Sequence, residues 1–122
     1  MARRDITGAV DFAYLENYAA GDMALVDEVL GLFREQVELW RPMIDPEAGR
    51  AWGDAVHTLK GAARGIGAFA LADACDVAEK SEKEPERSPP LLALVHDALD
   101  AALGDVAAYQ HERLLQGLRN AS

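Results

Sequence analysis

A histidine, a lysine, a glycine and an arginine stand at positions 57, 60, 61 and 64. At about 100° per residue these spacings put all four on one side of a helix. Opposite them Trp52, Ala55, Val56, Leu59, Ala62, Ala63 and Ile66 gather into a broad apolar arc. His57 points away from the centre of that arc, so packing does not account for it. A neutral imidazole in water is a nucleophile, and one of its nitrogens can be phosphorylated. Phosphoryl transfer asks mainly for in-line positioning and for charge neutralisation around the moving group. Lys60 and Arg64 offer cations locally, although the chain carries a net charge of −9. Glycine in mid-helix costs ~1 kcal/mol relative to alanine. Gly61 therefore has another use: one turn from His57, it leaves the surface bare for a close approach, and Gly65 widens the cleared strip.

The rest of such a reaction is missing from the sequence. There is no Gly-x-x-x-x-Gly-Lys-Ser/Thr loop, no glycine-rich loop after a strand and no cluster suited to magnesium. A metal pair at i and i+4 fails, because Gly53 and Gly61 flank His57 at those positions. An enzyme using His57 as general acid or base would need an orienting carboxylate and a cleft. Asp54 could orient the ring, but the helix face is convex. His96 and His111 read as surface or boundary residues. Cys75 reads as a small buried hydrophobe, and Trp40 and Trp52 as core or bundle-end packing. The acidic run from Asp73 to Glu86 reads as a solvated face.

The pattern that must position His57 is helical throughout, without alternating strand runs or hairpin signals. Asp11 is placed to cap a short first helix through Phe12, Leu15 and Tyr18. Gly21-Asp22 breaks it and caps a second, with Val26, Val29, Leu30, Phe33, Val37 and Trp40 inward. Asp45-Pro46 predicts the start of the His57 helix, and Gly67 its left-handed end. A fourth helix turns Leu71, Ala74, Cys75 and Ala78 inward, with Asp73, Asp76, Glu79 and Glu82 outside or at the flank. After the loop from Glu84 to Pro90, with Ser88 as cap and Pro89 opening, a last helix buries Leu92, Val95, Leu99, Ala102, Val106 and Tyr109. These elements predict an all-α fold: an antiparallel four-helix bundle with a short additional N-terminal helix.

Composition bounds the function. A chain of 122 residues, half of them hydrophobic, suits a single domain over 1–122. No apolar run approaches the roughly 20 residues that span a bilayer, and Met1–Asp5 has no apolar stretch behind its basic residues. The acidic balance argues against nucleic acid and anionic membranes as partners. The lone Cys75 excludes an internal disulfide and fits a reducing cytoplasm.

The run His57-Thr58-Leu59-Lys60-Gly61-Ala62-Ala63, with Ile66-Gly67 behind it, resembles the signature of histidine-containing phosphotransfer (HPt) domains. The resemblance extends upstream to Val10-Asp11-Phe12-Ala13-Tyr14-Leu15 and Gly21-Asp22, and downstream to Leu71, Cys75 and Glu79. It implies that His57 accepts a phosphoryl group from the aspartyl phosphate of one response-regulator receiver domain and passes it to another. It implies that Lys60 helps hold the phosphoryl group and the partner's acidic site, and that Gly61 keeps the docking surface open. Arg64 is not a regular part of the family pattern; its placement is geometric. Glu79 and Lys83 are weaker docking candidates at the border of that face. The implied protein is a phosphocarrier without turnover of its own, a monomer without a cofactor, whose partner receiver brings magnesium. A hybrid histidine kinase is a further candidate partner. The alternative is a pseudo-HPt adaptor that binds a receiver or kinase without carrying phosphate. A histidine-kinase dimerisation bundle would need a kinase ATP domain, which the sequence lacks.

Overall fold

Apolar residues at three- and four-residue intervals build five α-helices and, among the described residues, no strand. The computed structural model describes residues 8–121; the basic segment Met1–Asp5 lies outside them. Helix α1 (Phe12–Tyr18) is capped by Asp11, whose carboxylate accepts from the Tyr14 N–H at 3.1 Å. Helix α2 (Met23–Trp40) starts the same way, with Asp22 accepting from the Leu25 N–H. Each aspartate satisfies an N–H that has no partner within the helix.

Helix α3 (Arg50–Ile66) carries His57, α4 (Phe69–Lys80) packs beside it, and α5 (Ser88–Ala121) is the longest. At the end of α3, Gly67 adopts φ +85° and the Ala68 N–H donates back to the Ala63 carbonyl at 2.8 Å. This left-handed close is the one that Gly67 predicted.

Two predicted helix starts are corrected. Asp45-Pro46 does not open the His57 helix. Asp45 accepts from the Glu47 N–H and Pro46 begins a separate 3₁₀ turn, Pro46–Ala48. Gly49, at φ +61°, then turns the chain, and α3 begins at Arg50 without a side-chain cap. Nor does Ser88 act as a cap ahead of Pro89. Another 3₁₀ turn, Pro85–Arg87, leads directly into α5, and Ser88 is its first residue. The buried Ser88 hydroxyl donates to the Ser81 carbonyl and lies 3.1 Å from the Ser81 hydroxyl, so it joins α4 to α5.

The core lies between α2, α3, α4 and α5. Leu30, Leu59, Ile66, Leu71, Leu92 and Leu99 are among its fully buried side chains. The closest packing is α3 against α4 and α4 against α5, whereas α2 and α5 touch far less. Helix α1 closes one end: Phe12 stacks on Tyr109 with ring centres 4.1 Å apart, and the Asp11 N–H donates to the Gly67 carbonyl at 3.0 Å. The Tyr109 hydroxyl donates to Glu16 at 2.5 Å. Trp52 is buried, and Trp40 is half-buried with its ring N–H on Gln36. His96 does more than sit at a boundary. Its Nδ1 accepts from Arg41, and its Nε2 donates to the Ile44 carbonyl at 2.7 Å, which ties α5 to the turn after α2. Among the described residues no helix is long and apolar enough to cross a membrane.

Candidate functional site

Helix α3 brings His57 to the surface because the apolar arc beneath it is consumed by the core. Ala55, Val56, Leu59, Ala63 and Ile66 are buried, and the His57 side chain is 67 % exposed. The ring is nevertheless held. Its Nδ1 lies 2.7 Å from Glu79 Oε2 on α4. A carboxylate only accepts, so Nδ1 carries the proton and donates. In the neutral ring the lone pair then belongs to Nε2.

Glu79 uses both oxygens. Its Oε1 accepts from Lys60 Nζ at 2.6 Å. Lys60 in turn reaches a second carboxylate, Asp76 Oδ1, at 3.3 Å, and the other oxygen of Asp76 is 2.9 Å from Lys80 Nζ. Charges therefore alternate along a chain, Lys80, Asp76, Lys60 and Glu79, that ends on the His57 N–H. The order follows from helical spacing, since Asp76, Glu79 and Lys80 lie three and four residues apart on α4, as His57 and Lys60 do on α3.

The electrostatics fit this chain. The Lys60 hydrogen bond, aided by the one from His57 and opposed by partial burial, holds the Glu79 carboxyl below its ordinary 4.5. Lys80 first and Lys60 second hold Asp76 below its ordinary 3.8. Glu79, aided by Asp76 and opposed by desolvation, raises Lys60 above its ordinary value. Beneath them Cys75 is buried, and that burial pushes its thiol up to about 12, so it is an inert part of the core.

The sequence-predicted residues divide into two groups. His57, Lys60 and Glu79 come together in one hydrogen-bonded set. Gly61 lies beside them on open surface: a methyl group added there would meet nothing within 4 Å, and the same holds for Gly65. Arg64 is exposed in the last turn of α3, and Lys83 is exposed in the turn after α4; neither belongs to the set.

Three expectations change. Lys60 is not a free surface cation: its side chain is only 13 % exposed, because two carboxylates fold it against α4. Glu79 does not merely border the face; it holds the ring, a role that geometry gives to Glu79 and not to Asp54. The acidic run is not uniformly a solvated face, since Asp76 and Glu79 are both engaged with α3. Asp76 was missed as a site residue. The one signal that could have found it is its three-residue spacing from Glu79.

Comparison with known proteins gives a family and a structural relative. The Hpt domain family matches residues 24–108. The crystal structure of histidine phosphotransferase ShpA from Caulobacter crescentus is similar to this chain at 58% sequence identity and a TM-score of 0.80. That match covers 91% of this chain and 99% of the other. No match is found among curated protein sequences.

Proposed function

The chain belongs to the histidine-containing phosphotransfer family, whose members work with receiver domains in phosphorelays, and from that premise we propose that His57 is a phosphoacceptor loaded and unloaded by receiver domains. The observation that supports this best is an exposed ring with Nδ1 engaged by Glu79. It leaves Nε2 as the nucleophile. In the forward step the Nε2 lone pair forms a bond to phosphorus while the phosphorus–oxygen bond of a receiver's aspartyl phosphate breaks, and the electron pair leaves on the aspartate. Nδ1 keeps its proton throughout. The ring gains positive charge as the N–P bond forms, and the Glu79 carboxylate lies against the nitrogen that shares it. Passing the group to a second receiver reverses the same bonds.

Lys60, one turn from His57, is the candidate for the phosphoryl oxygens: its ammonium has three donors, and Glu79 and Asp76 engage two. Arg64 stands near the face that a partner would cover, and Gly61 and Gly65 let that partner come close. Magnesium, in this reading, comes with the receiver, and the chain acts as a single-domain carrier that turns over no substrate of its own.

The test is direct. A panel of receiver domains, phosphorylated with a small-molecule donor, is mixed with the wild-type chain and with His57→Gln. Wild type is expected to take up acid-labile label, as a phosphoramidate should, and the variant none. Label on His57→Gln equal to wild type would overturn the assignment. Receiver binding without any label on wild type would make the chain an adaptor.

A further inference from the structure

The phosphoacceptor reading uses His57, Glu79 and Lys60 but leaves Asp76 without a task. We propose that Asp76 is a positioning residue for the transfer: by sharing the Lys60 ammonium with Glu79, it keeps Glu79 on His57 Nδ1. The proposal rests on the phosphoacceptor reading for its effect on rate, although its effect on the ring can be read without any phosphate.

The geometry carries it. Lys60 Nζ sits between Glu79 Oε1 at 2.6 Å and Asp76 Oδ1 at 3.3 Å, in a side chain that is mostly covered. An ammonium has three donors and no acceptors, so its charge is divided among the carboxylates it can reach. With Asp76 present, Glu79 is neutralised only in part and remains a strong acceptor for the His57 N–H. Without Asp76, Lys60 has one carboxylate left. The whole of its charge then faces Glu79, and the Glu79–His57 bond weakens. Strongly coupled side-chain networks redistribute in this way when one member is removed.

A direct field from Asp76 on His57 is the competing explanation, and Lys80 argues against it. Lys80 Nζ lies 2.9 Å from the second Asp76 oxygen. At longer range the pair is close to neutral, whereas the short contact to Lys60 persists. Lys80 thereby sets how hard Asp76 can pull on Lys60. The device is a balance with opposite arms: removing Asp76 leaves more of the Lys60 charge to Glu79, and removing Lys80 leaves less.

The experiment follows the His57 ring by nitrogen-15 and proton NMR in the full chain, beside the rate of label uptake from a phosphorylated receiver. Asp76→Asn is expected to move the Nδ1 proton toward the position of an unpaired imidazole. It should also slow uptake by about tenfold, the lower end of what the outer hydrogen-bond partners of metal-bound histidines carry. Asp76→Glu, which can still reach Lys60, should restore both. Lys80→Gln should shift the ring proton in the opposite direction from Asp76→Asn. In a Lys60→Gln background Asp76→Asn should add nothing. Ring signals unchanged in Asp76→Asn, a shift of the same sign in Lys80→Gln, or an undiminished effect in the Lys60→Gln background would each overturn the proposal. If His57 were not the acceptor, His57→Gln would still take up label, while the ring signals would continue to report on the coupling.

Discussion

At residue scale, the property that matters at His57 is the division of labour between its two nitrogens. Glu79 holds one, and among the described residues the other has no hydrogen-bond partner. Glu79→Gln keeps the size of the side chain but removes the charge that faces the ring. It is expected to slow phosphoryl uptake by about tenfold, ~1.4 kcal/mol in the barrier, close to the lower end for a hydrogen bond to a charged group. A measured initial rate equal to wild type would show that Glu79 is structural only. The pH dependence has a definite sign. A carboxylate with a depressed folded value contributes to the folded state above its ordinary value and is lost as pH falls through the lower one. The Glu79 bridge should therefore persist at pH 4.5, the ordinary value, and open only below it. Carbon-13 NMR of the Glu79 carboxyl should give a midpoint under 4.5, moving back toward it in Lys60→Gln, because Lys60 is the main cause of the depression. Equal midpoints in the two proteins would contradict that cause.

At the scale of elements, the glycines of α3 separate surface from structure. A side chain at Gly61 meets nothing, and alanine is the better helix former there. Gly61→Ala should raise stability by up to ~1 kcal/mol in urea unfolding. Gly61→Arg should fold as well and yet take up phosphate more slowly, because the bulk stands where a partner must approach. Gly67 is the opposite case. At φ +85° an added Cβ would come within 2.7 Å of the Asp11 carbonyl oxygen, the backbone that the α1 junction uses. Gly67→Ala should cost at least ~1 kcal/mol by the same measurement. A neutral Gly67→Ala would mean that α1 is not held against the end of α3.

At the scale of the whole molecule, the core ends before α5 does. Val106 is the last buried residue of α5, and about 50 Å of helix, at 1.5 Å per residue, extends from Ser88 to Ala121. The distal part is tied to α2 by Arg34–Gln110 and Arg113–Asp27, both near the surface. Exposed pairs contribute ~0–1 kcal/mol each. Ending the chain after Tyr109 should thus leave a folded bundle that takes up phosphate, at a cost below ~2 kcal/mol in urea unfolding. Loss of the cooperative transition would show that the distal helix is part of the folding unit.

What could be read from the chain alone at this scale was whatever depends on neighbours in sequence. The 3.6-residue period separates the buried face of α3 from His57, and short polar residues such as Asp11 and Asp22 cap the helices they precede. The left-handed freedom of Gly67 ends α3. Each is a local steric or hydrogen-bonding preference, and each survives into the fold. The same local signals misplaced the starts of α3 and α5, because Asp45 and Ser88 have competing uses in a 3₁₀ turn and across two helices. Only the tertiary structure decided which carboxylate holds His57. Asp54 and Glu79 are both chemically able to do so. The choice depends on how α3 and α4 lie against each other, along a seam in which Leu59 and Ala63 of one and Leu71 and Cys75 of the other are buried. The same packing covers Lys60 and places Asp76 upon it. A cation that one helix presents to solvent becomes, between two helices, an internal link of the histidine's support.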